Sequence, residues 1–393
     1  MRILMLNHNL IGRGSYLRCF NLARELVGRG HLVEIVTAAD HVCIHWETRE
    51  EDGVTIRIPP RLAKPGRHDG GYAPVDIFAR IPKALRRWDL IHAFEHRPNV
   101  STPALISRLR GTPLVTDWSD WWTRGGITTA RRPFGFIDRV EGALLEEGTK
   151  KASDLVTVVS KALWNRAVSI GIHEERLALV PSGCDAGRIT PKVKEECRRK
   201  LNLPIEGPVL AFSGFAFWDF EFLLSAFRMV LEDFPEARLL VIGLDKDGKV
   251  EGITEQVLGE KSVQVVFAGC FAPDELSTPL GAADIQLLPL PDNRANRARW
   301  PIKLGDYLAS ARPTVASAVG DAAAVLSSHG AGLTTDPSPE SMAGGIIELL
   351  RDRQRMDRMG ENGRKLAESD LSWRVQSQKM EEAYNRCLEL RKR

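Results

Sequence analysis

The sequence of 393 residues has few cysteines and none of them are arranged in a CxxC pair: Cys19, Cys43, Cys184, Cys197, Cys270 and Cys387 lie far apart. Neither a disulfide framework nor a cysteine-based zinc knuckle is expected, and dispersed free thiols suit a reducing, cytoplasmic setting. No run approaches about 18 apolar residues, so no transmembrane helix is expected. The opening run from Met1 to Leu6 stops at Asn7-His8-Asn9, too short for the apolar core of a signal peptide. An excess of one charge is lacking as well. Fifty-four Lys and Arg against 51 Asp and Glu leave a net +3, which argues against nucleic-acid binding, since neutralising many phosphates needs a concentrated basic face. No GxxxxGK[ST], GxSxG or HExxH is present, which disfavours P-loop phosphoryl transfer, serine hydrolysis and zinc proteolysis.

What is present is an ordinary globular composition, 43% hydrophobic and 27% charged, long enough for two or three domains at roughly 150 residues each. Short apolar runs alternate with helical stretches. Strands are expected at Arg2–Leu6, Leu32–Thr37, Asp89–Ala93, Pro113–Thr116, Leu155–Val159 and Leu177–Val180. Helices are expected at Ser15–Arg29, Thr102–Arg110 and Arg139–Ala152. The stretch from Val42 to Arg80, rich in Gly, Pro and Arg, reads as loops with irregular strands. A charged helical stretch from Thr190 to Leu203 reads as a linker. The alternation then restarts, with strands at Val209–Ser213, Arg238–Gly243, Gln264–Ala268, Ile285–Pro289, Pro313–Ser317 and Gly330–Thr334, and a last helix from Trp373. Strand–helix–strand alternation is the pattern of parallel α/β sheets.

Three segments can carry chemistry. Gly12-Arg13-Gly14-Ser15 follows the first strand, where glycines let a backbone approach an anion at a helix start. Leu17 stands where a dinucleotide fingerprint needs its third glycine, which disfavours a nicotinamide enzyme. Asp117-Trp118-Ser119-Asp120-Trp121-Trp122 lies at a strand's carboxyl end, where open α/β sheets bind ligands. Its indole faces suit sugar rings or bases. Arg294, Arg297, Arg299 and Lys303 cluster around Pro301 at a helix start, an arrangement suited to a diphosphate. Asp306, one turn beyond Lys303, is placed to accept hydrogen bonds from ribose hydroxyls. His92 and His96, and His41, Cys43 and His45, are metal-like by residue type, but no full ligand set is evident and no metal is expected.

In order along the chain, these segments resemble the GT-B-fold retaining glycosyltransferases of family 4. The resemblance rests on Gly12-Arg13-Gly14 with Asn21-Leu22-Ala23-Arg24-Glu25-Leu26, on Ala152-Ser153-Asp154 through Ser160, and on Pro181-Ser182-Gly183-Cys184-Asp185. It continues with Lys303-Leu304-Gly305-Asp306-Tyr307-Leu308-Ala309 and Ser372-Trp373. It implies an α/β architecture of two Rossmann-like domains, 1–190 for the acceptor and 191–373 for a nucleotide sugar, with the helix 374–393 returning to the first. It also implies a cytoplasmic transferase, acting in cell-envelope polysaccharide synthesis, that needs no metal or cofactor. That enzyme would move a sugar, with retention, from a nucleoside diphosphate sugar to a sugar, lipid-linked or small-molecule acceptor. The expected donor contacts are Gly12, Gly14, Arg299, Lys303 and Asp306. Asp117 and Asp120 are expected at the acceptor or the transferred sugar.

Three positions depart from the family pattern. Ser213-Gly214-Phe215-Ala216-Phe217-Trp218-Asp219 lacks the usual Arg and Lys. Ala298 replaces the first of two glutamates eight apart. Asp117-Trp118 stand where a histidine is usual. Arg299 and Lys303 are expected to supply the missing charge. Two further readings remain open: a nucleotide-sugar-binding partner without activity, and a nucleotide-sugar epimerase. Arg131-Arg132-Pro133-Phe134-Gly135-Phe136 mixes basic and aromatic residues, which suits either peripheral contact with an anionic membrane or a solvated loop.

Overall fold

The computed structural model describes residues 1–38, 40–62, 70–128, 135–214, 219–243 and 249–392. It divides into two compact units: 1–182 with 298–300 and 373–393, and 183–297 with 301–372.

The first unit holds β1 (Arg2–Leu10), β2 (Leu32–Ala38), β3 (Glu47–Glu51), β4 (Val54–Ile58), β5 (Leu90–Phe94), β6 (Leu114–Trp118), β7 (Leu155–Val158) and β8 (Leu177–Leu179). They form one sheet in the order β3-β4-β2-β1-β5-β6-β7-β8. Every neighbouring pair is parallel except β3 and β4. The strand order reverses direction between β1 and β5, the switch point beyond whose carboxyl ends a crevice opens in such sheets. The helix Ser15–Gly28 follows β1 and turns Cys19, Phe20, Leu22, Ala23 and Leu26 onto the sheet. The last helix, Trp373–Leu390, adds Trp373, Met380, Tyr384 and Cys387 to the same core. Each fully buried large apolar side chain of this kind contributes about 1.5–3 kcal/mol.

Three expectations change here. β1 runs on from Leu6 to Leu10, because Asn7 and His8 are buried rather than turned out. The stretch from Val42 to Arg80 contains an antiparallel pair, β3–β4, and a helix, Pro74–Ala84. The buried ion pair of Asp76 with Arg80, one turn apart, fixes that helix (2.5 Å). The helix expected at Arg139–Ala152 is two helical pieces, Gly135–Glu141 and Glu147–Ala152, joined by a π-helical turn at Gly142–Glu146.

The second unit holds β9 (Val209–Ser213), β10 (Arg238–Ile242), β11 (Val265–Gly269), β12 (Ile285–Leu288), β13 (Thr314–Ser317) and β14 (Gly332–Thr335). The order is β11-β10-β9-β12-β13-β14, parallel throughout, with its switch point between β9 and β12. Its core is built on Leu210, Phe212, Leu223, Phe227, Leu239, Ile285, Leu287 and Ile346. The charged stretch read as a linker contains a helix, Lys194–Lys200, anchored in this unit. Buried Arg198 donates to Asp284 at 2.6 Å, and Lys194 meets the same carboxylate at 2.6 Å. Among the described residues no helix is long and apolar enough to cross a membrane.

Candidate active site

The first unit's site is its carboxyl edge around the β1/β5 switch. After β1 the chain turns through Gly12 and Gly14 into the helix Ser15–Gly28. Gly14 has φ 51° and ψ −130°, a conformation that only glycine adopts at little cost. A Cβ there would also come within 2.5 Å of Asn9 Nδ2. The amides of Asn7 and Asn9 both donate to Ser15 Oγ, at 3.1 and 3.0 Å, which fixes the turn from the strand side. Gly12, at φ 75°, has open space where a Cβ would stand.

Asp117 lies at the end of β6 and is fully buried. Arg18 grips it with two hydrogen bonds, Nε to Oδ2 and Nη2 to Oδ1, each 2.9 Å. Thr157 Oγ1 donates to Oδ1 at 2.6 Å. Arg18 also donates to the Val180 carbonyl at 2.7 Å. The carboxylate expected at the acceptor thus ties the first helix to β6, β7 and the end of β8. Beside it, burial pushes His92 down to about 3. Its imidazole is neutral and shares a 2.8 Å hydrogen bond with Tyr384 of the last helix.

Two further buried carboxylates hold the loop after β6. Glu95 follows β5 in a left-handed conformation, φ 73°, a strained state for a non-glycine residue. It accepts from Ser119 N (2.9 Å), the Ser119 hydroxyl and Trp122 Nε1 (2.8 Å). Glu146, in the π-helical turn, accepts from Trp118 Nε1 (3.0 Å), Trp122 N (3.0 Å), Thr123 N (2.9 Å), Thr123 Oγ1 (2.5 Å) and Arg166 Nη1 (2.7 Å). Turns of π-helix recur at functional sites.

The indoles are not open platforms. Trp118 is fully buried. The Arg166 guanidinium lies 4.8 Å from the Trp118 ring and 4.4 Å from Trp121, and Arg97 lies 4.4 Å from Trp122. Lys150, buried in the same cluster, is lowered from the usual lysine value by its burial, while Glu95, Glu146 and Asp117 oppose that shift.

Within this frame Asp120 is half-buried. Burial, then the charge of Glu95, push its carboxyl up to about 7; Arg299 opposes the rise, and Glu146 and Asp117 add to it. Arg299 belongs to the first unit through the segment 298–300. The Ser160 hydroxyl anchors that segment by donating to the Ala298 carbonyl at 2.6 Å.

The second unit's candidate residues sit on the helix Ile302–Ala309. Lys303 Nζ lies 4.0 Å from the Phe212 ring centroid. A Cβ on Gly214, at φ 143°, would come 3.1 Å from the same ammonium. Lys303 therefore reaches the end of β9, the loop where the family's Arg and Lys are missing; residues 215–218 of that loop lie outside the described residues. Tyr307 OH accepts from Ser213 N at 2.8 Å and fixes the helix to β9. Gly305 lets the helix press on the Gly183–Cys184 backbone, since a Cβ would meet the Gly183 carbonyl at 2.7 Å. That contact sets Asp306 near Asp185; burial, and then Asp185, push Asp306 up to about 7. Arg297 is engaged by Asp292 at 2.5 and 2.6 Å on the surface.

The structure thus brings Gly12, Gly14, Asp117, Asp120 and Arg299 into the first unit, and Lys303 and Asp306 into the second. These two edges match a known pair of domains. Residues 13–183 fit the family model described as a glycosyl transferase 4-like domain, and residues 193–366 fit glycosyl transferases group 1. The chain belongs to the family 4 glycosyltransferases, on a GT-B fold.

Among its relatives is the GDP-mannose-dependent monoacylated alpha-(1-6)-phosphatidylinositol monomannoside mannosyltransferase of Corynebacterium glutamicum, 26% identical over 58% of this chain. The match spans 61% of that relative, so the chain covers about three fifths of its length. Among solved GT-B structures, sucrose-phosphate synthase from Thermosynechococcus elongatus superposes with a TM-score of 0.76 at 17% identity, covering 98% of both chains. Anabaena HepE in complex with UDP-glucose gives 0.72 at 16% identity, covering 98% of this chain and 99% of its own.

Sequence reasoning on this family 4 chain missed Arg18, Glu95, Glu146, Lys150 and Arg166. The indole-rich run Trp118–Trp122 was the available signal, since buried indole N–H groups need acceptors. The acceptors themselves lie 28 and 27 residues away along the chain.

Proposed function

We propose that the protein is a metal-independent, retaining glycosyltransferase that moves a sugar from a nucleoside diphosphate sugar to a sugar, lipid-linked or small-molecule acceptor. The observation that carries this reading is Lys303 at the end of β9, with Asp306 one turn further along the same helix. A diphosphate at the β9/β12 switch point would meet the ammonium and the helix's N-terminal N–H groups, and Asp306 would accept from ribose hydroxyls. Fixed positive charge of this kind stabilises a departing diphosphate without a metal. Its phosphate oxygen would take the acceptor proton in a front-face attack. In the first unit, Gly12, Gly14 and Arg299 are the proposed diphosphate contacts, Asp120 orients the acceptor or the transferred sugar, and Asp117 positions the loop that carries Asp120.

The C. glutamicum relative is named for GDP-mannose and HepE is seen with UDP-glucose, which supports the donor class and leaves two bases to compare. A thermal-shift series with UDP-, GDP-, dTDP- and ADP-sugars tests the reading. Stabilisation by one of them, lost in Lys303→Ala, is expected; no shift with any would overturn it.

A lipid-linked acceptor has support in the first unit. Phe136, Ile137, Val140 and Leu144 are exposed on the helical stretch from Gly135, while its acids Asp138 and Glu141 are buried. That outward face suits a membrane surface. Arg131–Phe134, the rest of the segment expected there, lie outside the described residues.

One observation favours the second reading, a nucleotide-sugar-binding partner without activity. Ala298 occupies the first carboxylate position and its segment is anchored by Ser160. Release of sugar from whichever donor stabilises the protein separates the two; binding without release supports the partner.

A further inference from the structure

Where the first unit's chain passes from β2 into the first residue of β3, His41, Cys43 and Glu47 converge. One ligating atom from each lies within 4.8 Å of the other two. His41 Nε2 and Glu47 Oε1 are 2.7 Å apart. Cys43 is buried and held by a two-way backbone bridge to Arg61, its N–H donating to the Arg61 carbonyl at 3.1 Å and its carbonyl accepting at 2.7 Å. The other imidazole nitrogen, Nδ1, faces Asp40 Oδ1 at 3.7 Å. The sequence pattern His41-x-Cys43-x3-Glu47 spans seven residues, and the turn into β3 folds its ends together.

We infer that His41, Cys43 and Glu47 form a zinc site, with water as the fourth ligand. Imidazole, thiolate and carboxylate together suit Zn2+, whereas Mg2+, Ca2+ and Mn2+ prefer oxygen donors throughout. Zn–S of about 2.3 Å and Zn–N and Zn–O of about 2.0–2.2 Å set tetrahedral ligand atoms roughly 3.3–3.8 Å apart. The His41–Glu47 hydrogen bond opens by about 0.6–0.9 Å to admit the ion, and Cys43 Sγ leaves its 3.3 Å contact with the Pro59 carbonyl. Zinc replaces the thiol proton, which goes to solvent. The site adjoins the glycine turn: Ile11, the residue before Gly12, packs against Cys43 and Ile58. A bound ion therefore fastens the segment 40–47 beside the root of that turn. None of the three ligands belongs to the donor-binding set, so the inference stands independently of the transfer reaction.

The test uses the full chain, stripped with a chelator and titrated with Zn2+ and then Co2+. One equivalent binds, Co2+ gives a thiolate-to-cobalt charge-transfer band, and zinc raises the Tm. Cys43→Ser removes the band and weakens zinc binding at least about tenfold, while Cys270→Ser, at the exposed cysteine, leaves both intact. Should Cys43→Ser fail to fold, His41→Ala and Glu47→Gln carry the test at partly exposed positions, each weakening zinc binding about tenfold with an unchanged circular dichroism spectrum. A native chain that shows no charge-transfer band, or a band that survives Cys43→Ser, overturns the site. So does zinc binding that is indifferent to both His41→Ala and Glu47→Gln.

Discussion

At the carboxyl edge of the first sheet, buried acids meet buried bases. Asp117 is held by Arg18, Glu146 by Arg166, and the loop from Ser119 to Thr123 hangs on the carboxylates of Glu95 and Glu146. At the carboxyl edge of the second sheet the candidate charges sit on one helix. Lys303 lies along an aromatic ring at the end of β9, and Asp306 has another carboxylate, Asp185, as its charged neighbour. The first edge is preorganised by its own ion pairs. The second concentrates unlike charges one helical turn apart, which a ligand with a diphosphate and a diol would complement. Pairing buried acids with buried guanidinium groups and setting unlike charges one helical turn apart are different uses of the same fold position.

The comparison breaks first at Asp117. Asp117→Asn leaves the Arg18 guanidinium buried without its countercharge, and a loss of about 3–5 kcal/mol in folding stability is expected from urea titration. A loss under about 1 kcal/mol would mean that the first edge is not held by its ion pairs. Lys303→Ala should leave stability nearly unchanged and weaken the stabilising nucleotide sugar by about 1.5–3 kcal/mol, or roughly 10- to 150-fold, in calorimetric titration. Equal effects on folding and binding would erase the distinction between the two edges.

Within the first edge, Gly14→Ala should cost about 1–3 kcal/mol, because backbone conformation and the Asn9 contact both oppose it. Gly12→Ala, with open space around it, should cost about 1 kcal/mol. Thermal melts of the pair decide whether the turn is shaped by Asn9 or by backbone alone.

The smallest effect is one of pH. Asp120 and Asp306 stand at about 7 in the folded chain, above the unfolded value of about 3.9. Each binds its proton more tightly when folded, so its contribution is full below about pH 4 and is lost as the pH rises through about 7. Stability should fall across that window by on the order of 1 kcal/mol per group, given their partial exposure. Asp120→Asn and Asp306→Asn should each flatten the slope, one for each edge; denaturation curves at a series of pH values with unaltered slopes in both variants would remove these carboxyls from the account.

The strands were legible because their apolar runs are continuous and buried on both faces. Polar residues inside elements were not. Asn7 and His8 look like the end of a strand in sequence, yet β1 continues through them because both are buried. Lys194–Lys200 looks like a linker until Asp284, 86 residues from Arg198, is set beside it. The candidate residues divide in the same way. Gly14, Lys303 and Asp306 could be chosen from local pattern, since a turn after a strand and one helical turn are short-range geometry. Glu95 and Glu146 could not, because their roles depend on partners on other elements.

The sequence alone therefore determined the run of parallel strands, the α/β class and the family. Hydrophobic periodicity and turn chemistry act over a few residues, and they are written in the sequence directly. Only the tertiary structure decided which charges are spent on holding the fold. It placed Arg18 on Asp117, guanidinium groups over the indoles, Lys303 at Gly214 and Glu47 beside His41 and Cys43. Burial and the pairing of distant side chains set the state of a charged group, and neither has a period that a sequence can show.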